Sequence, residues 1–202
     1  MIFQKVQNLE KEDFDRKYLN YLAVFALIAI PLFTWLFGTR ESPLDYTMSM
    51  IGNKLGYRIN FITWGVAVGL LLTFFLIRLY VLKSFRNPRA RRLLVWSFIF
   101  LVLTVVIPAV EHLPILKKLH AVAAVAFGLS LSASIYMFIR FLHSIDEKVS
   151  IKSMWMLLTV VLGSILLYFL VGNTGVFELF FFFSITLFLF LLSRWVLRND
   201  TK

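Results

Sequence analysis

Long uncharged stretches alternate with short charged connections along most of this chain. A run of about 20 apolar residues can cross a bilayer as an α-helix, and continuously apolar runs are not typical of the alternating strands of membrane barrels. Residues 153–193 carry a single charge, Glu178, and are too long for one span, but the Gly-Asn-Thr-Gly sequence at 172–175 is a strong turn signal. The pattern predicts an all-α membrane bundle with six transmembrane helices, at residues 18–39, 59–81, 93–110, 120–142, 153–171 and 176–194. These form one domain, residues 18–197, between terminal tails at 1–17 and 198–202.

Composition agrees with a lipid environment. Hydrophobic residues make up 60% of the chain and charged residues only 16%, whereas soluble domains carry about 25% charged residues. The expected partner is therefore the lipid bilayer. The chain has no cysteine, which excludes disulfides, thiolate metal sites and cysteine nucleophiles.

The distribution of basic residues predicts the orientation. Of the 21 Lys and Arg, sixteen fall in the two tails and the second and fourth connections, and five fall in the first and third connections. Because cytoplasmic segments are enriched in Lys and Arg, both termini are predicted to be cytoplasmic. The net charge of +10 lies at helix ends, so we do not expect nucleic-acid binding.

The first outward connection contains several candidate residues. Ser42 followed by Pro43 is typical of a helix N-cap and first helical position, so we expect a short interfacial helix that ends near Gly52. Asp45 would lie in its first turn, either as a capping carboxylate or as a functional acid.

His120 is predicted to stand at the start of the fourth span. Ala124, Gly128 and Ser132 follow at intervals of four and form a small-residue face suited to close helix packing. His120 should therefore point into the bundle. It could bond to the adjoining loop, or act as a general base or metal ligand.

Glu178 is expected in the first turn of the last helix. An ionisable residue within a membrane span is a functional candidate. A carboxylate at a helix N-terminus near the headgroups can also be purely structural.

These outward residues define a hypothetical site for lipid chemistry. A histidine with a carboxylate could perform acid–base catalysis on a headgroup, and two histidines with a carboxylate could hold a divalent metal. No diagnostic metal spacing is present, so the sequence identifies neither a metal nor a cofactor. The catalytic candidates are His120, Glu111 and Asp45, and the substrate-binding candidates are His112, Glu178, Ser49 and Asn53.

Two segments resemble the DUF998 family of prokaryotic six-helix membrane proteins, which has no assigned function. Residues 46–53 (Tyr-Thr-Met-Ser-Met-Ile-Gly-Asn) are similar to its Ser-x-Ser-x-Leu-Gly pattern, with Thr47 in place of the first Ser. Pro108 and Pro114, followed by His120, resemble its Pro-rich outer loop, with Glu111 where the family has Asp. The resemblance implies a six-helix layout in a prokaryotic plasma membrane.

Three functions remain open at this point. The first is action on a lipid or lipid-linked substrate at the outer leaflet. The second is a transporter, scramblase or channel, although no charged residue lies in mid-span and no inverted repeat with broken helices is evident. The third is an accessory subunit that binds a partner membrane protein.

Overall fold

The computed structural model describes the backbone of residues 2–198 and the side chains of residues 14–198. Within that range every regular element is an α-helix, as predicted. The elements are α1 (Ile2–Gly38), α2 (Met48–Lys54), α3 (Arg58–Leu82), α4 (Pro88–Val106), α5 (Pro114–His143), α6 (Glu147–Val171) and α7 (Gly175–Arg198). The predicted turn between the last two spans is confirmed, since α6 ends at Val171 and is followed by the C-cap residue Gly172, with a φ of 74°. The helix α1 continues through most of the predicted N-terminal tail, and residues 199–202 of the C-terminal tail lie outside the described range.

Five helices in the described part of the chain are long and apolar enough to cross a membrane: α3, α5, α6, α7 and the Phe14–Gly38 segment of α1. The protein is therefore a multi-pass helical membrane protein. The remaining long helix, α4, contains three arginines in its first turns, Arg89, Arg91 and Arg92. Only residues 93–106 of α4 are free of charge.

The helix of the third predicted span, residues 93–110, ends earlier than expected. Ile107 is extended, with φ −76° and ψ 122°, because the residue before a proline is disfavoured in the helical region. Pro108 therefore terminates α4 instead of kinking it. The same helix begins before residue 93, because Asn87 caps its N-terminus and Pro88 occupies the first turn.

The helix that contains the fourth predicted span, residues 120–142, begins before residue 120. The helix α5 begins at Pro114, following the non-helical Leu113. His120 is thus the seventh residue of α5, beyond the first turn.

The six long helices form a closed ring in chain order. Each of α1, α3, α4, α5, α6 and α7 packs against the next, and α7 packs against α1. Neighbours are antiparallel: Arg194, near the end of α7, donates to Asn20 of α1 at 2.6 Å, and Gly65, early in α3, lies against Val105 at the end of α4. We call the end where α1 begins and α7 ends the terminal end, and the other the loop end.

Aromatic rings fill the interior toward the loop end. Trp64 stacks on Phe61 with ring centroids 5.8 Å apart and meets Phe182 edge-on at 5.0 Å. Phe37 stacks on both Phe61 and Trp64, and Phe127 stacks on Phe182. Side chains of α1, α3, α5 and α7 therefore meet at the centre of the ring.

A buried polar network holds α3, α4 and α5 together toward the terminal end. The Tyr80 hydroxyl lies 2.9 Å from the Ser134 hydroxyl, which donates to the Ala90 carbonyl at 2.7 Å. All three residues are buried. Since unpaired polar groups are costly in lipid, this network fixes the relative position of three helices.

The small-residue face predicted on α5 is not the close contact of the bundle. Ala124, Gly128 and Ser132 are only half-buried, and a Cβ on Gly128 would meet no atom within 4 Å. A close approach is found instead between α3 and α4, where a Cβ on Gly65 would lie 2.3 Å from Cγ1 of Val105. The buried stripe of α5 is displaced by one residue and contains His120, Ala123, Phe127, Leu131 and Ser134.

Candidate functional site

The first outward connection folds differently from its prediction. The Ser42 carbonyl accepts hydrogen bonds from the backbone N–H groups of Asp45 and Tyr46, at 3.1 and 3.0 Å, which makes a single turn and no helix. The helix α2 starts five residues later, where the Thr47 hydroxyl accepts from the Met50 N–H at 3.1 Å. Thr47 is therefore the N-cap, and Asp45 is an exposed turn residue.

Glu178 fastens this connection to the start of α7. Its Oε2 accepts a hydrogen bond from the Met48 N–H at 2.5 Å. Two backbone bonds support the same contact, from Gly175 to the Tyr46 carbonyl at 3.1 Å and from Val176 to the Pro43 carbonyl at 3.2 Å. The carboxylate thus satisfies an N–H at the first turn of α2 that has no intrahelical partner.

Glycine is required at position 175, where the start of α7 meets the first connection. A Cβ on Gly175 would lie 2.6 Å from the Tyr46 carbonyl oxygen, which is backbone and cannot rotate away. Beside it, the Thr174 hydroxyl oxygen is buried without a hydrogen-bond partner among the described residues. It is the one such side-chain atom in that part of the chain.

The substrate-binding candidates Ser49 and Asn53 belong to the internal bonding of α2. The Ser49 hydroxyl lies 3.0 Å from that of Thr47. The Asn53 amide donates to the Ser49 carbonyl at 2.9 Å, and its oxygen accepts from Arg58 at 2.6 Å.

Two basic residues, Arg58 and Lys54, join the first and third connections. The sequence pattern had assigned them no role beyond their charge. Arg58 donates to the Val106 carbonyl at 2.7 Å, and thereby satisfies an acceptor at the C-terminus of α4. Lys54 pairs with Glu111 at 2.5 Å on the exposed surface. The hydrogen bond from Lys54, reinforced by its charge and that of Lys117, lowers the pKa of the Glu111 carboxyl below its usual value. Arg58 lies in the first turn of α3 and Lys54 in the last turn of α2. Their position at helix ends was the signal in the sequence that could have identified these contacts.

His120 points into the bundle, as predicted, and is 9% exposed. Its Nδ1 donates to the Ile107 carbonyl at 3.1 Å, so the proton is assigned to Nδ1 from that bond. Pro108 leaves this carbonyl without a helical partner, and His120 supplies one. Of the roles predicted for His120, this contact corresponds to the bond with the adjoining loop.

The predicted binding residues Glu178, Ser49 and Asn53 meet at α2. Among the described side chains, no hydrogen bond joins the predicted catalytic residues His120, Glu111 and Asp45 to one another, and His112 is exposed. No three His, Asp or Glu side chains come together as a potential metal site among the side chains that are described. The loop end therefore holds three separate anchors, at Glu178, at His120 and at the Lys54–Glu111 pair.

A concave feature lies elsewhere, between α1 and α3. This α1–α3 groove has a volume of about 380 Å³, within the range of small-molecule sites. Phe25 and Leu70 on its rims are 61% and 52% exposed, so the groove opens on the outer surface of the ring. Its walls are apolar side chains, including Ala29 and Phe33 of α1 and Ala67, Leu71 and Phe74 of α3.

Comparison of the chain with family models, with curated proteins and with solved structures finds no match in any of the three.

Proposed function

We propose that this chain is a six-span protein of a prokaryotic plasma membrane, with both termini cytoplasmic, and that it functions by holding a phospholipid acyl chain in the α1–α3 groove. The groove is the observation that carries the proposal. Its outward opening and apolar walls suit an acyl chain, and a water-filled cavity with such walls would have no polar partners for the water.

Ring closure supports α4 as the sixth span. The helix packs between α3 and α5, which are both long and apolar enough to cross a membrane. Its 19 residues correspond to about 28 Å at 1.5 Å per residue. Its arginines lie at the terminal end, where long basic side chains can extend toward headgroups. The two connections with the resemblance to DUF998 also meet in space, through Arg58 and the Lys54–Glu111 pair, which supports membership of that family.

The absence of cysteine makes the topology directly testable. Single cysteines at Arg86 and His112, both exposed, should differ in labelling by a membrane-impermeant maleimide added to intact cells. We expect labelling at 112 and, only after permeabilisation, at 86. Labelling of both in intact cells, or of 86 alone, would overturn the proposed topology.

Lipid retention tests the groove. Ala29→Phe and Ala67→Phe place rings inside it, whereas Val125→Phe adds the same ring to an exposed position of α5. Native mass spectrometry of the detergent-purified protein should show bound phospholipid on the wild type and the Val125 variant, and much less on the groove variants. Equal retention by all four proteins would refute the proposal. Stoichiometric dimers or a co-purified membrane protein that disappear in the groove variants would also refute it, in favour of a partner helix.

A second candidate is action on a lipid or lipid-linked substrate at the outer leaflet. The unpartnered Thr174 hydroxyl favours it, because Thr174 lies one turn before Glu178 and its carbonyl accepts the Glu178 N–H at 3.5 Å. If this is the site, Thr174→Val should abolish changes in lipid composition caused by overexpression while preserving the fold. An unchanged lipid effect in a folded Thr174→Val protein would eliminate this candidate.

A further inference from the structure

The terminal end of the α1–α3 groove carries a pair of opposite charges. The Arg78 guanidinium lies 3.5 Å from the Asp15 carboxylate, and each side chain is about 30% exposed. The guanidinium carbon also lies 4.7 Å from the centre of the Tyr18 ring and 6.0 Å from that of Phe74. Phe74 lines the groove, so the pair adjoins it directly.

Helical spacing places the pair on the groove's own faces. On α3, the wall positions 67, 71 and 74 continue to 78 at intervals of three and four residues, and residues so spaced share one helix face. On α1, positions 33, 29 and 25 continue through 22 and 18 to 15 in the same way. Arg78 is eleven residues from Ala67, or about 16 Å along the helix, close to half the hydrocarbon thickness of about 30 Å. The groove and the pair together therefore extend from headgroup level to about the bilayer midplane.

The pair retains bonding capacity for a ligand. Arginine has five N–H donors, and none of those on Arg78 makes a hydrogen bond within the described residues. Its separation from Asp15, 3.5 Å, exceeds the roughly 2.7–2.9 Å of a charge-assisted hydrogen bond. Both groups are partly exposed beside the apolar α1–α3 groove. Contacts with a headgroup there can therefore supply selectivity among lipids.

We infer that Asp15 and Arg78 bind the headgroup of a zwitterionic phospholipid with a primary amine, the ammonium at Asp15 and the phosphate at Arg78. This inference rests on the proposed acyl-chain binding in the groove. A purely anionic headgroup would satisfy Arg78 but would meet repulsion from Asp15. A choline headgroup has the same net charge but no N–H to donate to the carboxylate.

Competition between defined lipids in nanodiscs tests the assignment. The full chain is reconstituted in equal parts phosphatidylethanolamine, phosphatidylcholine and phosphatidylglycerol, and the lipids retained after release are quantified by native mass spectrometry. The wild type should retain phosphatidylethanolamine in preference to both others. Asp15→Asn should reduce that preference by roughly twofold to tenfold, the change expected for the loss of one hydrogen bond at a partly exposed site.

Arg78→Gln should lower retention of all three lipids. The matched control is Arg194→Gln, because Arg194 also lies at the terminal end, beside the Phe190 ring and bonded to Asn20, but does not line the groove. Arg194→Gln should leave both the total retention and the lipid ratio unchanged.

The outcomes separate the two proposals. An unchanged lipid ratio in Asp15→Asn, or a wild type enriched in phosphatidylglycerol, would overturn the headgroup assignment while groove-dependent retention still stood. Retention that survives Ala29→Phe and Ala67→Phe would remove the groove itself. Thermal unfolding of each variant in detergent identifies any that fail to fold. If Asp15→Asn fails to fold, the wild type carries the test, and equal retention of the three lipids by the folded wild type would overturn the assignment.

Discussion

Replacing Gly65 with alanine should destabilise the bundle by forcing α3 and α4 apart. The added Cβ would lie 2.3, 3.1 and 3.2 Å from Cγ1, Cγ2 and Cβ of Val105, whereas carbon atoms in contact are normally about 3.5–4.0 Å apart. Valine in a helix has one strongly preferred rotamer, so the obstruction cannot rotate away. The backbones must separate by about 1 Å.

The magnitude follows from overpacking in cores, which costs about 1–3 kcal/mol. That cost corresponds to a roughly 5-fold to 150-fold change in the unfolding equilibrium. Gly128→Ala is the matched control, because a Cβ there meets nothing within 4 Å and replacing a helical glycine by alanine gains up to about 1 kcal/mol. The same substitution should therefore act with opposite sign on α3 and α5.

Reversible unfolding in mixed micelles, or steric trapping in bicelles, measures both variants. Adding Val105→Ala to Gly65→Ala should recover part of the loss, since it removes the two methyl groups that clash. Equal stability of the Gly65 and Gly128 variants, or strict additivity of Gly65→Ala with Val105→Ala, would refute the close approach and with it the position of α4 in the ring.

Three further predictions concern the polar contacts. Glu178→Ala should destabilise the fold by about 1–3 kcal/mol by leaving the Met48 N–H unpaired. Glu178→Gln keeps an acceptor and should cost less. Equal losses of stability for the two variants in unfolding assays would contradict the role of Glu178 as the acceptor for Met48. Ser134→Ala should cost a similar amount, because the Ser134 hydroxyl links α3, α4 and α5. Ser132→Ala should be nearly neutral, and similar unfolding curves for the two variants would refute the network. Because the pKa of Glu111 is lowered in the folded protein, its pairing with Lys54 stabilises the folded state above the pKa of the unfolded chain. This contribution is lost as the pH falls through the pKa of the folded state. Glu111→Gln should therefore flatten the acid limb of the profile of stability against pH, and an unchanged limb would count against the pair.

Much of the fold could be predicted because bilayer energetics act on each segment separately. Apolar length located the helices, and the Gly-Asn-Thr-Gly sequence located the last turn. The cap of α2 could not be chosen in the same way. Ser42 and Thr47 are both good N-caps, and the choice of Thr47 depends on the contact of Met48 with Glu178, 130 residues away in the chain.

The candidate site was predicted less well, because sequence reasoning grouped residues by membrane depth alone. Glu111 and His120 lie in neighbouring parts of the chain, yet one pairs with Lys54 on the surface and the other bonds to Ile107 inside the bundle. Depth confines titratable residues to the same layer but does not bring them into contact. The α1–α3 groove could not be predicted at all, since it exists only because the ring places α1 beside α3.

The two ends of the bundle use their polar groups differently, and this difference directs the search for activity. At the loop end, Glu178, His120 and Arg58 each satisfy a backbone group where a helix begins or ends. A ligand that used these side chains would first have to release those backbone groups, each at a cost of about 1–3 kcal/mol when left buried and unpaired. At the terminal end, Arg78 contacts Asp15 at 3.5 Å without a hydrogen bond, so binding there needs no comparable sacrifice. A ligand should therefore be sought first in the leaflet beside the two termini.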